Sequence, residues 1–217
     1  PPVAAPPVGT TPVVPPPGRV GFFSQSGALG IALLEAVAAR GLGLSTFVSA
    51  GNRADVSGND LLQYWYDDPA TEVVLLYLES LGNPRKFSRL ARMVAAEKPV
   101  VAVKSGRSTQ GVPLGHTVRV TDTPVAALDA MFRQSGVIRV DTLAEMFDVA
   151  QALALQPLPA GPRVAVVGNS DSLGLLAADA AAQRLQQGVG AGGGGAGIDV
   201  AGVGRDDGFR RTDLVRC

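Results

Sequence analysis

The sequence has few of the residues that build covalent or metal-bound frameworks. Its only cysteine is Cys217 and its only histidine is His116, which excludes an intrachain disulfide and argues against a metal site of clustered histidine and cysteine ligands. Nineteen basic residues balance nineteen acidic residues, a pattern that disfavours nucleic acid and anionic membranes as partners. No apolar run approaches the roughly 18 residues that span a bilayer. We therefore expect a soluble, cytoplasmic protein without a metal of its own.

Composition changes along the chain and indicates its organisation. Residues 1–18 contain eight of the 16 prolines, which predicts an extended interdomain linker. Residues 19–155 form the main domain, residues 156–162 a second linker, and residues 163–187 the incomplete start of another domain. Residues 188–217 are rich in glycine and nearly free of periodic pattern, so we expect a disordered tail. Because the start lacks a methionine and a signal peptide, we expect a segment from the middle of a longer chain.

Short apolar runs alternate with helix-like segments through the main domain. The runs are mostly continuous rather than alternating, which predicts a parallel sheet covered by helices on both faces. The expected fold class is α/β, a three-layer flavodoxin-like sheet followed by the start of a second such domain. Strands are predicted at residues 19–24, 44–49, 72–79, 99–104 and 136–140, and helices near residues 26–40, 58–67, 84–96, 124–134 and 142–154.

Polar residues follow three of the predicted strands, where open α/β sheets bind their ligands. The turn Ser24-Gln25-Ser26-Gly27 leads into a helix, whose N-terminus suits a phosphate, although serine is also an ordinary helix cap. Glu79 ends the third strand, and its other interpretation is a solvated charge. His116 lies in the long polar loop 105–123 after the fourth strand, and a lone histidine is also common at a surface.

A flavodoxin-like strand order brings these three positions into one cleft. A histidine nitrogen attacks a phosphoryl group when a carboxylate holds its tautomer and N–H donors stabilise the negative charge. His116, Glu79 and the Ser26-Gly27 helix start would supply those three functions. The first turn lacks the Gly-x-Ser-x-Gly pattern of a hydrolase, and the sequence has no Walker-type nucleotide loop.

The motifs also form an ordered set that resembles a known family, the NDP-forming acyl-CoA synthetases, which include succinyl-CoA synthetase. The resemblance covers roughly residues 18–155 and concerns the ligase-associated domain of that family. The segments that carry it are the turn Ser24-Gln25-Ser26-Gly27, residues 49–55, the strand that ends at Glu79, residues 98–108, Gly115-His116-Thr117 and residues 132–140.

The resemblance implies a phosphohistidine relay between a nucleotide and an acyl phosphate. His116 would be the nucleophile and Glu79 its orienting carboxylate, while Ser24, Gln25, Ser26 and Gly27 would line the phosphate end of the helix. The family binds CoA on a Rossmann domain and ATP or ADP with Mg²⁺ on an ATP-grasp domain. We therefore expect no cofactor on this segment, and expect those domains as partners in the same chain or in another subunit.

One departure from the family keeps an alternative open. The family usually has glycine two residues after the relay histidine, and this sequence has Val118. A β-branched residue does not easily adopt φ > 0 or allow close approach of its backbone to phosphate. The alternative is a catalytically silent, acyl-CoA-sensing domain fused to a GNAT-type protein lysine acetyltransferase.

Overall fold

A computed structural model of the chain describes residues 13–27, 29–50, 56–105, 125–157, 164–168, 170–188, 198–202 and 215–216. The chain divides into two compact units, Pro1–Pro157 and Leu158–Cys217. Five strands form a sheet in the first unit, and three form a sheet in the second.

The sheet of the first unit is parallel throughout and has the strand order β2-β1-β3-β4-β5. This order is that of a flavodoxin-like fold. The predicted fold class is therefore confirmed, and the strand bounds lie within about two residues of the expected ones. The strands are β1 (Pro17–Ser24), β2 (Leu44–Ser49), β3 (Val73–Leu78), β4 (Val100–Lys104) and β5 (Ile138–Val140).

Helices cover both faces of this sheet and form two separate hydrophobic clusters with it. Helices α1 and α5 pack on one face, and helices α2, α3 and α4 pack on the other. The five helices are α1 (Gly30–Ala39), α2 (Gly58–Asp67), α3 (Pro84–Ala95), α4 (Val125–Gln134) and α5 (Leu143–Leu155).

The central strand β3 shows why its sequence is apolar at every position. Val74 and Leu76 belong to the cluster of α2, α3 and α4, whereas Val73 and Leu75 belong to the cluster of α1 and α5. Successive residues of a strand point to opposite faces of the sheet. All four side chains are buried because helices cover both of these faces. A strand buried on both faces therefore needs a continuous apolar run, as the sequence predicted.

The second unit contains β6 (Val164–Gly168), α6 (Asp171–Gly188), β7 (Ile198–Gly202) and β8 (Val215–Arg216). Strand β6 pairs in parallel with β7, which pairs antiparallel with β8. Residues 188–217 were predicted to be a disordered tail, and strands β7 and β8 lie within that segment. The run Ile198-Asp199-Val200 has the alternation of a strand, although glycines surround it. No helix in the described part of the chain is long and apolar enough to cross a membrane.

Replacement of Gly21 by alanine should destabilise the first unit by overpacking. A methyl group there would lie 2.6 Å from Cε2 of Trp65 and 2.9 Å from Cγ2 of Thr71, and both side chains are fully buried. Because overpacking costs about 1–3 kcal/mol, the free energy of unfolding in urea, followed by Trp65 fluorescence, should fall by that amount. Gly27→Ala is the control, because a methyl group there meets no atom within 4 Å. Equal losses in the two variants would contradict this account.

Candidate functional site

The carboxyl ends of four parallel strands lie side by side at one edge of the first sheet. Ser24 of β1 pairs in register with Ser49 of β2 and with Tyr77 of β3. Leu78 of β3 pairs in turn with Lys104 of β4. Strand β1 lies between β2 and β3. The chain therefore continues from β1 to β2 on one side and then crosses to β3 on the other side of β1. This reversal of strand order is where open α/β sheets bind ligands.

The predicted phosphate-binding residues form a tight turn directly after β1. The buried Ser24 hydroxyl donates to the carbonyl of Ser26 at 3.1 Å and accepts from the Ser26 amide at 3.2 Å. The Ser49 hydroxyl, from the neighbouring strand, donates to the same carbonyl at 3.2 Å. Serine side chains therefore fix the backbone of this turn, and the turn is anchored to both β1 and β2.

Helix α1 begins at Gly30, so the prediction that it begins at Ser26 was wrong. In a helix that began there, the Ser26 carbonyl would accept a backbone amide, but it accepts the two serine hydroxyls instead. The Gly30 backbone amide donates to the carbonyl of Gly27 at 3.3 Å. Leu29 occupies the N-cap without a side-chain hydrogen bond, and the first turn has no acidic residue. The positive end of the α1 dipole therefore has no compensating side chain of its own.

The Gln25 side chain joins the end of β1 to the segment that follows β3. Its Oε1 accepts from the amides of Glu79 and Ser80, both at 2.8 Å, and its Nε2 donates to the Ser80 carbonyl at 2.8 Å. The backbone amide of Gln25 also donates to the carbonyl of Tyr77 at 3.0 Å. Gln25 is 4% exposed, so these bonds form in a nearly dry environment. Gln25 was predicted to line the phosphate end of the helix, whereas in the structure its side chain is hydrogen-bonded to the backbone of Glu79 and Ser80.

Glu79 follows β3 at the carboxyl edge, as expected, and its side chain is exposed. Its backbone is held by Gln25 while its carboxylate remains accessible. His116 and Val118 lie outside the described residues, as do residues 51–55 of the second motif. The pairing of Glu79 with His116 therefore stays a prediction.

Lys104, the last residue of β4, was not among the predicted site residues. Its side chain is 3% exposed, and its Nζ donates to the carbonyl of Ser105. A basic residue at the carboxyl end of an otherwise apolar strand was the available signal. Lys104 therefore supplies a buried amine at the end of β4, directly before the loop 105–123 that contains His116 in the sequence.

Charged groups also surround the beginning of helix α2, which packs on the face of the sheet opposite to α1 and α5. Asp60 accepts from the Ser57 hydroxyl at 2.6 Å and from the Ser57 amide at 3.0 Å, and Lys86 of α3 lies 3.1 Å away. These hydrogen bonds, with the hydroxyl contributing most, lower the pKa of Asp60. Within the described ranges, no three histidine, cysteine, aspartate or glutamate residues are grouped closely enough to hold a metal ion.

The strand order and the two helical layers define an α/β flavodoxin-like domain. Residues 17–153 match the family described as the succinyl-CoA ligase-like flavodoxin domain. The match covers most of the chain, and the chain belongs to this family. The resemblance inferred over residues 18–155 is thereby confirmed.

Relatives of known sequence are named as ADP-forming CoA ligases. The chain is 40% identical over 170 residues to the alpha subunit of acetate–CoA ligase (ADP-forming) I from Pyrococcus furiosus, covering 77% of this chain and 37% of the relative. It is 38% identical over 172 residues to 4-hydroxybutyrate–CoA ligase (ADP-forming) from Nitrosopumilus maritimus, covering 77% of this chain and 24% of the relative. The chain therefore spans well under half of the length of these two proteins.

A solved structure shows the same architecture. The dinucleotide-forming acetyl-coenzyme A synthetase 1 of Ca. Korarchaeum cryptofilum, in complex with phosphate and ADP, superposes with a TM-score of 0.68 at 35% sequence identity. The similarity covers 77% of this chain and 37% of that protein.

Gln25→Ala should destabilise the first unit, because it leaves the amides of Glu79 and Ser80 without their acceptor. Loss of a partner by a buried donor costs about 1–3 kcal/mol, so the free energy of unfolding in urea should fall by at least that amount. Gln63→Ala is the matched control, since Gln63 is exposed on α2. A Gln25→Ala variant as stable as the control would disprove the proposed anchoring.

Asp60→Asn should reduce stability at neutral pH and have less effect in acid. The pKa of Asp60 is lowered from 3.8 in the folded state, so its contribution is present above that value. It is lost as the pH falls through the folded-state pKa. The measurement is the difference in unfolding free energy between the two proteins as a function of pH. Asp67→Asn, at an exposed position, controls for loss of a charge, and a difference that grows in acid would contradict the assignment.

Proposed function

We propose that this chain is the part of an NDP-forming acyl-CoA synthetase that carries a phosphohistidine relay. His116 is the nucleophile, and Glu79 orients its imidazole. The observation that carries the proposal is the common edge formed by the ends of β1, β3 and β4. It brings Glu79 and the Ser24–Gly27 turn to the edge from which the chain continues toward His116.

The proposed step transfers a phosphoryl group from an acyl phosphate to His116. An unprotonated ring nitrogen attacks phosphorus, a nitrogen–phosphorus bond forms, and the bond from phosphorus to the acyl oxygen breaks. The carboxylate leaves with the bonding electron pair, and Glu79 accepts a hydrogen bond from the other ring nitrogen. Reaction of the phosphohistidine with ADP then forms ATP and restores the imidazole.

The Ser24–Gly27 turn and the start of α1 are proposed to bind the transferred phosphoryl group. The uncompensated end of the α1 dipole favours an anion at this position. Lys104 provides a further basic group at the same edge. In this proposal Gln25 is a positioning residue, because its side-chain oxygen accepts hydrogen bonds from the backbone amides of Glu79 and Ser80.

We further propose that CoA, the nucleotide and Mg²⁺ bind on other domains of a larger cytoplasmic protein. The support is the length of the relatives, of which the chain matches 24% to 37%. These domains would be a CoA-binding domain and an ATP-grasp domain, in the same chain or a partner subunit. The GNAT-fused regulatory alternative gains no support from the relatives, which are named as CoA ligases.

The test is phosphorylation of the full-length protein that contains this segment. Incubation with γ-labelled ATP and Mg²⁺ should give an acid-labile, alkali-stable label that is absent from His116→Ala. Glu79→Gln should slow labelling by about 10- to 100-fold, because the imidazole loses its orienting carboxylate. Glu72→Gln, at the opposite end of β3 and exposed, is the matched control and should be labelled normally. Label retained in His116→Ala would refute the relay.

A further inference from the structure

An open groove of about 450 Å³ lies along helices α3 and α4. The two helices are packed against each other. The rings of Phe87 and Phe132 meet edge to face with their centroids 5.8 Å apart, and the hydroxyl oxygens of Ser88 and Ser135 are 2.8 Å apart. These contacts fix the separation of the helices, so the groove is formed before any ligand binds. It is lined by Pro84, Arg85, Ser88, Arg89 and Arg92 of α3 and by Met131 of α4.

Three exposed arginines form a stripe along this groove. Arg85, Arg89 and Arg92 are four and three residues apart on α3, a spacing that places them on one face of the helix. No carboxylate lines the groove. Within the described part of the chain, the guanidinium groups of Arg85 and Arg89 form no ion pair. The stripe is therefore a concentration of positive charge that the described residues leave uncompensated.

The position of these arginines is unfavourable for the helix itself. Like charges four residues apart on a helix repel each other. Arg85 also lies in the first turn of α3, which contains no acidic residue, and the positive end of a helix dipole disfavours a cation there. The stripe therefore does not stabilise α3, and an anion from outside the described residues would relieve its repulsion.

Arg92 is oriented by the end of the neighbouring helix. Its Nε donates to the carbonyl of Gln134, the last residue of α4, at 3.2 Å. A guanidinium has five N–H donors in a planar fork, so the four N–H groups of its two Nη atoms remain for another acceptor. Such a fork matches the two oxygens of a carboxylate. Gln134 thus holds Arg92 beside the groove without occupying the donors that a carboxylate would use.

The apolar part of the lining distinguishes between possible anions. Met131 is half-buried in the groove, and a methionine side chain adapts to an apolar partner. A small polyanion would contact the arginines and leave Met131 uncovered. An amphipathic helix can place carboxylates at the same spacing of four and three residues and an apolar side chain on Met131. Helices also pack by fitting the ridges of one into the grooves of another. Charge and shape together favour an acidic helix.

We propose that the groove of α3 and α4 binds an acidic amphipathic helix of a partner protein. Carboxylates of that helix accept hydrogen bonds from Arg85, Arg89 and Arg92, and its apolar side covers Met131. Because the arginines are exposed, the affinity depends on ionic strength. This surface goes beyond the proposed relay, since it includes neither residue of the relay nor the phosphate-binding turn.

The first experiment is a titration of the full chain with a synthetic amphipathic peptide. The peptide is helical and has glutamates four and three residues apart beside a leucine, and binding is followed by the ¹H–¹⁵N shifts of the Ser88 and Met131 amides. We expect saturable shifts that weaken as salt is added. A peptide with glutamines in place of the glutamates should bind about tenfold or more weakly, because three ion pairs are lost. The absence of saturable shifts, or equal affinity for the two peptides, would overturn the proposal.

Two further measurements distinguish the acidic helix from other occupants. Tripolyphosphate has the charge but no apolar side, so it should bind more weakly than the glutamate peptide, and binding of equal or greater strength would overturn the proposal in favour of a small polyanion. Sedimentation equilibrium of the chain without peptide should give the same mass for the unmodified chain and for the double variant Arg85→Gln/Arg89→Gln. Self-association that this variant abolishes would instead assign the groove to a second copy of the chain.

The double variant also tests the site directly. Arg85→Gln/Arg89→Gln should weaken binding of the glutamate peptide by about tenfold, since an exposed ion pair contributes up to about fivefold. Its melting temperature without peptide should not fall, because the substitutions remove repulsion and break no ion pair of the described chain. Arg133→Gln, at an exposed position of α4 outside the lining, is the matched control and should bind the peptide like the unmodified chain. Unchanged affinity in the double variant, or an equal loss in Arg133→Gln, would refute the docking site.

Discussion

The hydrogen bonds of Gln25 connect the two segments on which the rest of the site depends. Parallel pairing aligns β1 with β3 as far as Ser24 and Tyr77, and the Gln25 side chain extends that alignment to Ser80. The amide group of a glutamine has both an acceptor and a donor, so it replaces a further step of backbone pairing. The Gln25 side chain thereby holds the backbone of Glu79 and Ser80, beyond the last residue of β3, beside the end of β1.

The edge has different chemistry on the two faces of the sheet. On the face of α1 and α5, serine hydroxyls organise the turn that precedes α1. On the face of α2, α3 and α4, a lysine and an incompletely bonded asparagine adjoin a cavity. Gln25 belongs to the strand end between them, since its backbone follows Ser24 and its side chain reaches Ser80. The reversal of strand order therefore has a serine-organised turn on one face and a cavity on the other.

The fold could be predicted because its determinants are local. Strand β3 is apolar at every position, and the helices between strands have the length and polarity that such a layered sheet requires. The start of α1 was predicted incorrectly because serine fits both a helix cap and a turn. The hydroxyl of Ser49, 23 residues away from Ser26, contributes to that outcome. The role of Gln25 was equally hidden, since its bonds span 54 and 55 residues. The family, in contrast, was recognisable from the order of its motifs, and residues 17–153 confirm it.

The proposed relay requires that Glu79, at the carboxyl edge of the sheet, orients the His116 imidazole. The most direct measurement is the ¹⁵N spectrum of the imidazole in the neutral state, because the chain has a single histidine. A carboxylate that accepts from one ring nitrogen selects one tautomer. We expect one dominant tautomer in the unmodified chain and a shift toward the tautomer mixture of free imidazole in Glu79→Gln. Identical imidazole spectra in the two proteins would contradict it.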